Sequence, residues 1–381
     1  MNQGSIRILA DDLTGALDTA AAFAGQLPVF IDTPPAAGQP YFDAPLSVVA
    51  TPTRDVAPET LPAFLQPVLD WLQSGSLAFK KVDSLLRGNT FAEIAWLVRH
   101  GRFDHALFAP AFPAQGRITT EDRQWVIKPG IPRQAAATPL RETFTQLDLR
   151  TCAAQPTQRD TASIWIPEVL TDTDLDRVVA QADTPASAPC LWCGSAGLAH
   201  ALARRRNLAP IAGLAAPLPQ GQGPSVLVSA SFQPVLREQW ARLRESHPIQ
   251  AIAEQARDAE ITSVLDLART GASELWFDLS PIEHLTPEQA ASLLTAQIAR
   301  LVAELPKPGQ LIVVGGDTLL GLCRASGATG LLAHPAIRPG WGCAKLIGGT
   351  WDGVPCYSRS GAFGAPDDLV EIIRLLRQPN N

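Results

Sequence analysis

The chain has 381 residues, 46% of them hydrophobic and 18% charged, with a formal net charge of -6. That length exceeds the usual size of one hydrophobic core, so two domains are expected. No apolar run approaches the roughly 20 residues of a membrane helix, no basic stretch leads into an apolar one at the start, and the one block of cations is Arg204-Arg205-Arg206, which excludes membrane and secretory roles and nucleic-acid binding and leaves a cytoplasmic protein as the expectation.

In chain order, short apolar runs alternate with amphipathic segments, the pattern of a mostly parallel sheet with helices on its faces. Strands are expected at Ile6–Ala10, Val29–Asp32, Leu46–Ala50, Leu77–Val82, Ala106–Ala109 and Leu191–Cys193. Helices are expected at Thr14–Gly25, Leu61–Gln73, Thr90–His100, Leu175–Ala182 and Ala196–Arg206. Between Ile118 and Gln134 the pattern is that of a hairpin, with Trp125-Val126-Ile127 in one strand. Residues 209–224 hold four prolines, three glycines and no charge. This is linker composition, because proline stops helices and glycine is costly to order. It predicts domains at 1–208 and 225–381.

The alternation then restarts with strands at Ser225–Ser229, Glu274–Asp278 and Leu311–Val314 and helices at Pro234–Glu245, Pro287–Glu304 and Thr318–Ala325. Short strands at Ala344–Ile347 and Val354–Tyr357 precede a closing helix at Asp367–Leu376. The expected fold class is therefore α/β, with two domains each built on a mostly parallel sheet. The apolar side of the last helix looks exposed and permits a homodimer.

Chemistry concentrates at strand ends, where open α/β sheets bind ligands. Asp11-Asp12-Leu13-Thr14-Gly15 follows the first strand. Asp12 suits a helix N-cap, while a carboxylate pair also suits a kinase or dehydratase, one member taking a hydroxyl proton and the other bonding hydroxyls or steadying a cation. Lys80-Lys81-Val82-Asp83-Ser84-Leu85-Leu86-Arg87-Gly88-Asn89 crowds Lys81, Asp83, Ser84, Arg87 and Asn89 at a second strand end. Such a set fits a hydroxylated anion: Arg87 forks onto a carboxylate or phosphate, and Asp83 and Asn89 bond hydroxyls. A cap at Asp83 or Ser84 would explain one of these residues and not the set.

In the second half, Ser229-Ala230-Ser231, Gly315-Gly316-Asp317-Thr318 and Ser358-Arg359-Ser360-Gly361-Ala362-Phe363-Gly364 are small, polar strand ends. Glycines there admit backbone N–H groups to a phosphate at a helix N-terminus. No GxxxxGK[ST], no GxGxxG after a strand and no GxSxG occurs, which sets aside a Walker-type NTPase, a nicotinamide enzyme and a nucleophile-elbow hydrolase. Cys190 and Cys193 form a CxxC in an apolar run without further zinc ligands, so they are read as structural.

Together these segments resemble the four-carbon acid sugar kinase family. The matching stretches are Ala10–Ala16, Lys81–Asn89, Pro110–Pro113 with Gly116-Arg117, Gly194–Leu198, Gly315–Thr318 and Ser360–Gly364, in family order and spanning nearly the whole chain. The resemblance implies an acid-sugar-binding N-terminal domain and an ATP-binding C-terminal domain, which act on the terminal hydroxyl of threonate, erythronate or 3-oxo-tetronate. Asp12, Asp83 and Arg87 are the expected catalytic residues, and Asp11, Lys81, Ser84 and Asn89 join them around the acid sugar. Ser229, Ser231, Gly315, Gly316, Asp317, Thr318, Gly361 and Gly364 are expected around ATP. Mg2+ would bridge its phosphates with no protein ligand assigned.

Leu85, Ala230, Arg359, Ala362 and Gly342 depart from the family pattern, which commonly has threonine, glycine, lysine, glycine and proline there. The altered glycines, at Ala230 and Ala362, motivate a different class of reading, a non-catalytic or degenerate sugar-acid sensor.

Overall fold

The computed structural model describes residues 4–128, 130–156, 163–184, 189–210, 215–248, 250–254, 257–281, 285–338, 340–361 and 364–377. Ala362 and part of the 209–224 stretch lie outside the described residues. The chain divides into two compact units, Met1–Ile211 and Ala212–Asn381.

The first unit runs β1 (Ile6–Ala10), α1 (Leu13–Ala20), β2 (Leu27–Ile31), β3 (Leu46–Ala50), α2 (Leu61–Ser74), β4 (Leu77–Lys81), α3 (Thr90–His100) and β5 (His105–Ala109). A three-stranded antiparallel sheet follows, β6 (Arg117–Thr120), β7 (Arg123–Lys128) and β8 (Ile131–Ala135). Then come α4 (Leu140–Gln146), β9 (Arg150–Cys152), β10 (Ser163–Trp165), α5 (Asp172–Ala182), β11 (Cys190–Gly194) and α6 (Ala196–Arg205). The main sheet has the order β2-β3-β1-β4-β11-β5-β10-β9, all parallel. Its strands β1 to β5 are buried along their whole length and mostly apolar, as burial on both faces requires. The core includes Leu9, Val49, Leu65, Ile94 and Phe108, all inaccessible to solvent.

The second unit runs β12 (Ser225–Ser229), α7 (Pro234–Ser246), β13 (Ile252–Ala253), α8 (Asp258–Arg269), β14 (Glu274–Asp278), α9 (Pro287–Glu304), β15 (Gln310–Val314) and α10 (Gly316–Ser326). It ends with β16 (Gly330–His334), β17 (Gly342–Ile347), β18 (Pro355–Arg359) and α11 (Asp368–Arg377). The strand order is β13-β14-β12-β15-β18-β17-β16, parallel through β18 and antiparallel beyond. Leu227, Trp240, Ile312 and Tyr357 anchor its core.

Both sheets reverse direction about their first strand. The chain fills one side of β1 with β3 and β2 before crossing to β4, and one side of β12 with β14 and β13 before crossing to β15. The crevices at the carboxyl ends of β1/β4 and β12/β15 are therefore topological switch points, where ligands bind in open α/β sheets.

Several expectations need correction. The first helix stops at Ala20 rather than Gly25, because Ala24 turns to donate its N–H to Leu208 O and Gly25 takes φ +94. The short strands β9, β10 and β13 were not legible, being two or three residues each. The edge strand β8 carries Pro132 and no buried residue, so it has no apolar alternation. The apolar side of α11 is not exposed: Leu369, Val370, Ile372, Ile373 and Leu376 are buried in the core of their own unit. It supplies no argument for a dimer. Among the described residues no helix is long and apolar enough to cross a membrane.

Candidate active site

In the first crevice β1 and β4 pair with Ala10 opposite Lys81. The chain therefore leaves both strands side by side, with Asp11-Asp12 on one and Val82-Asp83 on the other. Asp12 is the N-cap of α1, its Oδ1 accepting the Gly15 N–H at 2.9 Å. A methyl group at Gly15 would meet Asp12 Oδ1 at 2.4 Å and Lys81 Nζ at 2.9 Å, so this glycine makes room for the cap and for the lysine.

Arg54, from the segment after β3, joins the two aspartates. Its Nε and Nη2 fork onto Asp11 at 2.9 and 3.1 Å, and its Nη1 donates to Asp12 Oδ2 at 2.8 Å. Such charge-assisted, bidentate contacts are among the strongest side-chain pairings. Burial works to raise the Asp11 carboxyl, but the charges of Lys80, Arg54 and Lys81 overcome it and hold it below the usual range. Asp11 is thereby a buried anchor, while Asp12 remains 24% exposed and is the carboxylate available to a ligand.

On the second strand end Asp83 accepts from Arg87 Nε at 2.7 Å and Nη2 at 2.9 Å, one helical turn apart in sequence. The Arg87 side chain stays 60% exposed. Burial works to raise the Asp83 carboxyl, yet the Arg87 hydrogen bonds and charge, with Arg54 and Lys81, hold it down to about 2. A carboxyl depressed on folding stabilises the fold above its unfolded value, about 3.9. That contribution is lost as pH falls toward 2, so the stability gap between the parent and Asp83→Asn is expected to narrow from about pH 5 to about pH 2. Urea midpoints across that range check it; a constant gap would refute the linkage.

The remaining candidates divide. Lys81 is buried beside Gly15. Ser84 is half-buried, and its carbonyl accepts from Gln124 Nε2 at 2.9 Å. Asn89 donates both amide hydrogens inward, to Thr53 O at 2.8 Å and Val56 O at 2.7 Å. Arg117 lies within electrostatic range of Asp83 and Arg87, and its buried Nε makes no hydrogen bond among the described residues. Lys80 points to the opposite face from Lys81, as neighbours in a strand must, and pairs there with Glu93. Sequence reasoning missed Arg54. Its signal was a lone arginine just past a strand that borders the switch point.

In the second unit the ends of β12 and β15 lie in register, Ser229 opposite Val314. Gly315 takes φ +116, a conformation that side chains rarely adopt, and donates its N–H to Arg359 O at 2.9 Å. This turn starts α10 at Gly316-Asp317-Thr318, with Thr318 buried. Gly361 lies so close to Ser231 that a methyl group would meet its Oγ at 2.2 Å. Ser231, Gly315 to Thr318 and Gly361 therefore follow adjoining strand ends.

Ser229 and Gly364 serve the interior instead. Ser229 Oγ accepts from Trp240 Nε1 at 2.8 Å. A methyl at Gly364 would meet Asp368 Oδ2 at 2.6 Å. Asp368 pairs with Arg359 Nε at 2.9 Å, and Arg359 also donates to Ser360 O and Gln239 and lies over the Trp341 ring. Only 3% exposed, Arg359 is spent inside the unit, where burial works to lower its pKa and the Asp368 charge opposes that. Burial pushes Cys190 up to about 12 and Cys193 well above the usual thiol range, so neither is a thiolate at neutral pH. No cluster of three potential metal-ligating side chains occurs among the described residues.

A sugar-binding N-terminal domain family matches residues 6–156, and a nucleotide-binding C-terminal domain family matches residues 226–369. The chain is 28% identical to the D-threonate kinase of Bordetella bronchiseptica, over 98% of each chain. It is 29% identical to that of Cupriavidus necator, over 94% of each, and 24% identical to the D-erythronate kinase of Heliobacterium modesticaldum, over 95% of each. A solved structure from Salmonella typhimurium LT2 shares the fold with a TM-score of 0.73 at 20% identity, covering 97% of this chain and 99% of the other.

Proposed function

Because the chain belongs to the four-carbon acid sugar kinase family, with its sugar-binding N-terminal and nucleotide-binding C-terminal domains, we propose that it transfers the γ-phosphoryl group of ATP to the terminal hydroxyl of a four-carbon acid sugar. D-threonate is the leading substrate, supported by the names of relatives that span nearly the whole chain. D-erythronate is the second. The observation that carries the reading is the placement of Asp12 and Arg87 together at the β1/β4 switch point, each partly exposed and each fixed by a buried or half-buried partner.

The chemistry follows from those residues. Phosphoryl transfer depends mainly on positioning and on stabilising charge. Arg87, its Nε and Nη2 edge set by Asp83, holds the substrate carboxylate. Asp12 orients the attacking hydroxyl and accepts its proton, with Arg54 and the Gly15 N–H fixing its direction. Lys81 adds positive charge beside it. In the second unit the backbone N–H groups that open α10 and the helix dipole suit the ATP phosphates. Mg2+ bound with ATP would supply charge neutralisation on those phosphates and would need few protein ligands. Arg359, one of the five departures from the family pattern, is held inside the unit by Asp368 and Gln239.

A coupled ADP-release assay over D-threonate, D-erythronate, their enantiomers and 3-oxo-tetronate tests the reading. Turnover with at least one of these acids, and none with the corresponding tetritol that lacks the carboxylate, is expected. Folded protein that is inactive on every acid would overturn it.

A further inference from the structure

We propose that Asn89 and Gly88 are positioning residues, whose turn clasps residues 53–56 and so sets the direction in which Arg54 reaches Asp11 and Asp12. The inference rests on the reading of Asp12 above and departs from the expectation that Asn89 bonds a substrate hydroxyl. A side-chain amide has two donor hydrogens. Both of those on Asn89 are spent, on Thr53 O at 2.8 Å and on Val56 O at 2.7 Å, the carbonyls that bracket Arg54.

The backbone completes the clasp. Asn89 N donates to Arg54 O at 3.1 Å, and Arg54 N donates to Asp11 O at 3.3 Å. Gly88 has φ +67, and a methyl group there would come within 2.1 Å of Arg54 O. Any other residue at 88 would both strain the turn and push the segment away. The Arg54 backbone is thus fixed on both sides while its guanidinium spans two carboxylates at 2.8–3.1 Å. A hydrogen bond weakens steeply once distance and angle depart from these values, so a shift of the segment by a fraction of an ångström releases one arm of the span. Asp12 then keeps its cap and loses the contact that aims its other oxygen.

Residues that act through one another lose their additivity on mutation, which gives the test. Asn89→Ala, Gly88→Ala, Arg54→Lys and the doubles Asn89→Ala/Arg54→Lys and Gly88→Ala/Arg54→Lys are assayed for kcat and KM with D-threonate and D-erythronate, after melting temperatures show each to be folded. Lysine at 54 keeps the charge and cannot fork across both aspartates. Asn89→Ala is expected to lower kcat by about 100-fold, the cost of misplacing a catalytic group by roughly 1 Å, with a smaller change in KM. In the Arg54→Lys background the same change should cost less than about threefold. Gly88→Ala reports the same clasp if Asn89→Ala is unstable. Equal losses in both backgrounds would mean that Asn89 contacts substrate itself and would overturn the proposal. So would folded single variants with parental kcat. An inactive parent chain instead refutes the kinase reading, and the two failures are thereby distinct.

Discussion

Asp12→Asn is expected to lower kcat with the preferred acid by about 10²- to 10⁴-fold, the range removed with a general base, while the fold persists. Asparagine caps a helix about as well as aspartate, so the contact to the Gly15 N–H survives. Asparagine has one oxygen, however, and with that oxygen on the Gly15 N–H its amide nitrogen, a donor, stands where Asp12 Oδ2 accepted from Arg54 Nη1, so that contact is lost. The ability to take a proton disappears with it. The size of the loss separates two contributions. Phosphoryl transfer through a loose transition state asks little of a base and much of positioning, and the amide retains an acceptor that can orient the hydroxyl. A fall near the lower end of the range therefore assigns Asp12 to orientation, and one near the upper end assigns it proton transfer as well. Parental kcat in a folded Asp12→Asn protein would remove Asp12 from the chemistry altogether.

The same residues show how much of the site the sequence exposes. Asp11, Asp12 and Gly15 were legible because their relationship is local: a strand ends, a cap follows, and a glycine stands three residues on. Asp83 and Arg87 were legible for the same reason, since an i,i+4 spacing brings the fork onto the carboxylate. Arg54 was not, because it lies 42 residues from Asp12 in sequence and reaches it through the parallel register of β3 on β1, Ala50 against Ala10. Asn89 was legible as part of the cluster and its orientation was not. Residue type states that an amide has two donors, and the tertiary fold decides that both face the Thr53 and Val56 carbonyls. The α/β alternation of both units was plain in the apolar runs, yet α11 was misread. Its apolar stripe is the same whether it faces solvent, a partner or its own core, and here it faces its own core.

The largest expected effect on stability comes from beneath the site. Lys80 and Glu93 face one another with both side chains inaccessible to solvent. Removing water from two charges is costly, and their attraction offsets that cost only while both are present. Lys80→Met is therefore expected to destabilise the protein by about 3–5 kcal/mol. Burial pushes the Glu93 carboxyl up while Lys80 opposes that shift, so without the lysine Glu93 stays protonated in the folded chain. The folded protein then holds a proton that the unfolded chain releases above about 4.3. Its stability falls as pH rises toward the elevated folded value, and the penalty of Lys80→Met should be larger at about pH 8 than at about pH 5. In the double variant Lys80→Met/Glu93→Leu no buried charge is left alone at this position, and two apolar side chains of similar length are expected to restore parental stability or exceed it. Activity need not follow stability, because Lys80 is the first of the charges that hold Asp11 ionised against burial, and Asp11 anchors the arginine that aims Asp12. Urea unfolding of the parent, both single variants and the double at the two pH values decides the matter. A double variant as unstable as Lys80→Met would show that the cost lies in packing around β4 and not in the orphaned carboxylate.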